Sequence, residues 1–439
     1  MESEVVINPV VSMKEVNQPI EIYNGEFTLE IQDIKFTLQG YIYLKWLPEP
    51  KISFTGKIIS GDENFESSKV RKSKLKITTP NGYAGFVMIN QINYTYDYNI
   101  TGIVVDSIQR LNEEMNSLYF SVVNFVDNLG DGIVQKKRHY LGRLNFEYGD
   151  YKIIFDKLPN YREIYNELND TGGYNITHAG VLKKTNGEDF DITEIENLLE
   201  CLSWLLSFAS GRQVAICALH GFDSNDNLVF EKYQIPIVSK WKNNRNWYPR
   251  SKGNVLESIY PMLVKKMNDD LWETVLKRVF TWYFDSFNST YIENKIVAVQ
   301  IALEMFAWTF IVEENEIIES KIFDSKLRAS DKLRLLLYEL SIPKGLPDIE
   351  EFKVVKSSYK DGAHLFTDFR NDIVHFKKTS KKDDKIPQLT KYYILQLGRQ
   401  YLELSILRIL NYQEEYHNLV SQKDWLAETI ESVPWYNNN

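Results

Sequence analysis

From about residue 18 to 155 the chain alternates apolar and polar positions with a period of two. Phe27-Thr28-Leu29-Glu30-Ile31, Ile34-Lys35-Phe36-Thr37-Leu38 and Tyr41-Ile42-Tyr43-Leu44-Lys45-Trp46 show it most clearly. Shorter segments follow around residues 52–58, 75–78, 85–89, 103–106, 118–125, 144–148 and 151–155. Turn-forming runs such as Asn24-Gly25, Pro80-Asn81-Gly82 and Gly130-Asp131-Gly132 separate them. Side chains two apart share one face of a strand, so this pattern predicts short antiparallel strands in a sandwich or barrel-like sheet.

The character changes from about 160 to 255. Residues 161–168 suit a short helix, residues 181–188 read as a loop, and residues 194–209 carry a broad apolar helical face with Gly211 placed as the C-terminal cap. Residues 214–219 and 228–236 then read as two strands. Beyond 255, apolar positions recur every three to four residues over 255–267, 270–287, 291–314, 330–340, 364–378 and 391–410. Ser330 is the expected N-cap of the fourth helix, and Ile342-Pro343 its stop. The expected fold is therefore a multidomain α+β chain. It has an antiparallel β-rich N-terminal domain (1–157), a small α+β middle domain (158–255) and an all-α helix bundle (256–439).

Composition narrows the chemistry. A chain of 439 residues suits two or three domains, and a formal net charge of -9 argues against a generally basic nucleic-acid coat. Any contact with RNA or DNA must come from a local patch. The two cysteines, Cys201 and Cys217, sit among apolar residues and read as buried thiols that suit a reducing cytosol. The N-terminus lacks the apolar core of a secretory signal, and the apolar run 296–312 is interrupted by Gln300 and Glu304, so a buried helix is expected there and no membrane partner. A soluble, cytoplasmic protein is the expectation. Residues 241–251 mix Lys242, Arg245 and Arg250 with Trp241, Trp247 and Tyr248. Such a loop either stacks bases or buries its aromatics. Neither a metal-ligand cluster, a Gly-rich phosphate loop nor a nucleophilic triad stands out, so no cofactor or metal is expected.

The stretch Asp368-Phe369-Arg370-Asn371-Asp372-Ile373-Val374-His375-Phe376 concentrates the candidate chemistry. As a helix it turns Phe366, Phe369, Ile373 and Phe376 inward, with Asn371 and His375 opposite and one turn apart. Arg370 lies about 140° around the helix from His375. His375 titrates where a general acid or base must, Arg370 offers a permanently charged fork for phosphate oxygens, and Asn371 would fix the His375 tautomer or hydrogen-bond the ribose or phosphate. Lys377, Lys378, Lys381 and Lys382 follow as a local basic patch for RNA, or as an ordinary solvated loop. In support, Asp372 is a candidate for orienting Arg370, and Glu304 for pairing with Arg334 or Arg370.

Arg370-Asn371-Asp372-Ile373-Val374-His375 resembles the Arg-x4-6-His signature of the HEPN superfamily. The order of surrounding segments, Ala302-Leu303-Glu304, Asp331-Lys332-Leu333-Arg334 and Gln396-Leu397-Gly398-Arg399, is similar to that of Apea-like HEPN domains. The resemblance implies a metal-independent endoribonuclease of bacterial anti-phage defence. It would cleave tRNA or other structured RNA at a composite site shared by two protomers, as a homodimer or higher homo-oligomer. The N-terminal domains would sense a phage-derived protein or restrain the nuclease. A second reading keeps the bundle as a non-catalytic RNA-binding or dimerisation module beside a β-rich ligand- or protein-binding domain.

Overall fold

A computed structural model describes residues 5–61, 70, 72–93, 99–110, 114–135, 138–374, 386–421, 423 and 425–436. They form two compact units, residues 1–203 with 214–243 and residues 204–213 with 244–439.

The first unit is built on one antiparallel sheet. Strands β1 (Ile20–Ile31), β2 (Ile34–Lys45), β3 (Lys51–Gly61), β4 (Leu75–Thr78), β5 (Ala84–Asn93) and β6 (Asn99–Arg110) pair in the order β3-β2-β1-β4-β5-β6, and β3 also pairs with β6. That extra pairing closes the six strands into a barrel. Its interior is packed by Phe27, Leu29, Phe36, Leu38, Ile42, Leu44, Phe54, Ile77, Val87, Ile100 and Val104, each at most 1% exposed. The period-two pattern explains this: on β2, Leu38, Ile42 and Leu44 point in while Gln39 and Tyr41 point out. Gly40 and Gly56 face each other across β2 and β3. A Cβ on Gly40 would lie 2.0 Å from the Thr55 carbonyl oxygen, so the close approach there requires glycine.

Strand β6 is long enough to serve twice. Its first half closes the barrel, and Ser107 to Arg110 pair with β13 (Leu228–Gln234). The sheet then continues through β12 (Ala215–Phe222), β7 (Ser117–Val123), β11 (Ile176–Lys184), β10 (Tyr151–Lys157), β9 (Arg138–Tyr148) and β8 (Asp131–Gln135). Helix α1 (Tyr161–Thr171) follows β10, and the first part of α2 (Ile192–Ser210) belongs to this unit. The expected loop at 181–188 is corrected in its first half: residues 176–184 form β11, a central strand buried from Ile176 to Leu182, and 185–188 are turn and loop as expected. A strand covered on both sides shows no alternation, so its pattern gave no period-two signal.

The second unit is helical. It contains α3 (Val255–Met267), α4 (Asp270–Asn288), α5 (Ile292–Trp308), α6 (Ser320–Lys326), α7 (Ala329–Glu339), α8 (Glu350–Lys353), α9 (Gly362–Val374) and α10 (Gln388–Ile409), with a small ribbon of β14 (Glu415–His417) and β15 (Ile430–Ser432). Helix α5 packs against α4, α7, α9 and α10. Ile296, Val299, Ala302 and Phe306 are fully buried, which explains a helix apolar on most of its faces. It runs on into a π-helical segment, Thr309–Glu314. Residues 292–314 are long and apolar enough to cross a membrane, and 61% of their most apolar 18-residue window is buried inside the protein. Ser330 is not the N-cap of α7, because that position is Arg328. The Ser330 hydroxyl instead accepts from Arg334 Nη1 at 3.4 Å. Trp241, Trp247 and Tyr248 are at most 6% exposed, so this loop buries its aromatics and presents none of these rings for base stacking.

Candidate functional site

The helix carrying Arg370 is fixed at its start by an acidic cap. Asp361 Oδ1 accepts from the backbone N–H of His364 at 2.8 Å, satisfying a donor that the helix itself cannot. The same carboxylate accepts two bonds from Arg334, Nε at 2.6 Å and Nη2 at 3.2 Å, and Arg334 Nη1 reaches Asp331 at 2.6 Å. Burial alone would raise the Asp361 carboxyl, but Arg334 and the His364 N–H outweigh it and hold it below the usual carboxylate range. Arg334 therefore acts through Asp361 and not through Glu304. Glu304 accepts from Gln300 Nε2 at 2.8 Å on its own helix.

Inward packing sets the rotation of α9. Phe366 and Phe369 are buried, and the Phe366 ring lies over Gly398 of α10, where a Cβ would sit 2.2 Å from it. The expected apolar stripe holds for these two. Ile373 is half-exposed, and Phe376 lies outside the described residues. Arg370 and Asn371 come out on the partly exposed side, with Arg370 Nη1 donating to Asn371 Oδ1 at 3.2 Å. Arg370 Nε is buried and has no hydrogen-bond partner among the described residues. This sets Arg370 apart from Arg143, paired with Asp156, and from Arg334, paired with Asp361. Asp372 is half-exposed; with Asp368 and burial, burial first, it pushes the Tyr359 phenol up to about 12. Among the described residues no carboxylate lies within ion-pair distance of Arg370, so Asp372 does not orient it directly. His375, Lys377, Lys378, Lys381 and Lys382 lie outside the described residues.

Two polar networks escaped the reading of the sequence. In the second unit, Glu403 accepts from Tyr283 Oη at 2.5 Å, while Arg399, one turn earlier on α10, donates to Ser286 and lies 3.8 Å from the Phe287 ring centroid. In the first unit, His220 Nε2 lies 3.3 Å from Glu231 and 3.2 Å from the Tyr233 hydroxyl, and Arg110 pairs with the same glutamate. Burial would raise the Glu231 carboxyl, but His220, Arg110 and Tyr83 together lower it. This second cluster is closed on itself and joins β6, β12 and β13. The available signal was a charged residue inside an otherwise apolar run, as in Leu219-His220-Gly221 and in Arg399 to Leu404.

Comparison with known proteins decides the family. A model of the YopA central domain matches residues 111–244, and one of the YopA C-terminal domain matches residues 269–431. The SPbeta prophage-derived uncharacterized protein YopA of Bacillus subtilis (strain 168) is 38% identical over 428 residues, covering 96% of each chain. The chain belongs to the YopA family. No solved structure matches it. The HEPN resemblance is thereby corrected, since the helical region that carried it matches the YopA C-terminal domain and no HEPN family is found. The reason lies in the size of the motif. An Arg and a His five apart recur by chance, and any bundle with period-3.6 stripes supplies similar flanking helices. In this chain, the helix that bore the motif is positioned by Arg334 and Asp361.

Proposed function

We propose that this YopA-family protein binds a phosphodiester of RNA at the partly exposed side of α9, with Arg370 as the anion-holding group and Asn371 steadying it. The observation that carries this reading is the Arg370 guanidinium, held by Asn371 with a buried Nε that has no partner among the described residues. Such a donor is costly to leave unmade, and a planar fork is suited to two phosphate oxygens. On this reading His375 supplies the proton transfers of metal-independent RNA cleavage, taking a proton from a 2′-hydroxyl or giving one to the leaving 5′-oxygen. That the B. subtilis relative is prophage-derived supports a setting of phage and host.

The test compares wild type, Arg370→Ala and His375→Ala on total tRNA in EDTA, measuring binding and cleavage separately. Arg370→Ala is expected to weaken binding by roughly tenfold, the worth of one charge-assisted contact. His375→Ala is expected to abolish cleavage and leave binding intact. Equal binding by wild type and Arg370→Ala sinks the site. Binding without cleavage by the wild type makes the protein an RNA-binding module.

A further inference from the structure

On the outer face of the barrel, β2 presents Tyr41, Tyr43 and Lys45 at alternate positions, the complement of the interior residues Ile42 and Leu44. Tyr41 is 47% exposed and Tyr43 half-exposed. These side chains line a hollow of about 340 Å³ together with Pro19 and Glu21. Register places β3 beside them: Tyr43 lies opposite Ser53, Tyr41 opposite Thr55, Gln39 opposite Lys57 and Lys45 opposite Lys51.

Two features of this face point to an anionic, ring-bearing ligand. Lys45 and Lys51 are directly opposed across the strands, an arrangement that disfavours the pair unless a negative charge lies between or over them. Neither has an ion-pair partner among the described residues, although the chain as a whole carries -9. Glu21 is the one carboxylate lining the hollow. Beside this pair, along β2, stand two phenol rings about 7 Å apart, a spacing set by the pleat. Lys45 Nζ lies 4.9 Å from the Tyr43 ring centroid, so the cation and the ring form one surface.

We infer that this barrel face binds single-stranded nucleic acid, with Tyr41 and Tyr43 stacking bases and Lys45 and Lys51 holding the backbone phosphates. Every base has a flat face to stack, and lysines flanking exposed rings follow a strand without reading its sequence. The site lies in the first unit and does not rest on Arg370.

The experiment measures anisotropy of labelled 15-nucleotide oligo(U) and oligo(dT) with the full chain at low and moderate salt. The wild type is expected to bind, with log Kd rising against log salt at a slope of about 1.4, as two lysines on a single strand imply. Y41A/Y43A should lose roughly ten- to a hundredfold, the worth of stacked bases, while keeping its melting temperature because the rings are surface groups. K45E/K51E should weaken binding and flatten the salt slope. Y41A/Y43A should lose the same factor whether or not Arg370→Ala is also present, so failure here and failure of the α9 site are told apart. The inference is overturned if Y41A/Y43A binds like the wild type. It is also overturned if a duplex of equal length binds as tightly, which leaves charge alone, or if only oligosaccharides raise the melting temperature.

Discussion

A carboxylic acid stripped of water keeps its proton to higher pH, and Glu403 on α10 is stripped in this way. Burial is the largest influence on it and pushes its pKa up to about 7, against the opposing pull of the Tyr283 hydroxyl, the Arg399 guanidinium and the Trp247 backbone N–H. Its folded-state pKa therefore lies above its unfolded one. Between roughly pH 4.5 and 7 the folded chain holds more protons, so this group's contribution to stability is full below that window and is lost as pH rises through it. Gln at 403 keeps an oxygen for Tyr283 and removes the titration. The melting temperature of Glu403→Gln, measured from pH 5 to 8, should therefore gain on the wild type by several degrees as pH rises. The difference between the two profiles isolates this group from others such as His417, which burial holds down at about 4. Parallel profiles would show that Glu403 ionises normally. The same residue shows why such networks are hard to read in advance. Its partners come from α4 and from the segment before α3, more than a hundred positions away.

Helix C-termini were more legible than N-termini, because the C-terminal turn is decided by neighbours in sequence, whereas the expected N-cap Ser330 lies inside α7. Gly211, at φ 61°, ends α2 as expected, with Arg212 N–H donating to the Ser207 carbonyl at 3.2 Å. The same motif closes α7, where Ile342 N–H donates to the Leu337 carbonyl at 2.8 Å and Ser341 takes φ 58°. Glycine is at ease there and serine is not. Ser341 is exposed, so nothing is lost in packing. Ser341→Gly is expected to raise stability by about 0.5–1 kcal/mol in urea unfolding, and a loss of stability would contradict the motif. The barrel strands and the long helices could likewise be read from period two and period 3.6. The buried strand β11 could not, since both of its faces are apolar. Barrel closure was equally hidden, because the pairing of Ser53 to Lys57 with Asn99 to Ile103 joins segments some fifty positions apart. For the candidate site, the phenylalanine stripe of α9 was legible at Phe366 and Phe369. The carboxylate that caps it was not, because Asp361 is recognised only through Arg334, on another helix.

At the scale of the molecule, two cores rather than one bear on how the protein unfolds. The first unit is filled by barrel residues such as Phe54 and the second by bundle residues such as Phe366, both fully buried. Chains with more than one core commonly depart from a single cooperative transition. Calorimetry should accordingly show two components, or a calorimetric enthalpy that exceeds the van't Hoff value. Trp46 and Trp241 belong to the first unit, whereas Trp247, Trp272 and Trp435 belong to the second. Phe54→Ala and Phe366→Ala each remove a buried ring and should each cost about 3–5 kcal/mol. Phe54→Ala should lower one component and leave the other near its wild-type temperature, and Phe366→Ala should do the reverse. With Trp46→Phe and Trp241→Phe present, fluorescence follows only the second unit and should track the component that Phe366→Ala lowers. A single transition shifted equally by both variants would mean that the two cores unfold as one cooperative whole. The same independence governs the nucleic-acid proposals, since losing the barrel face then removes one binding site without unfolding the helices that carry Arg370.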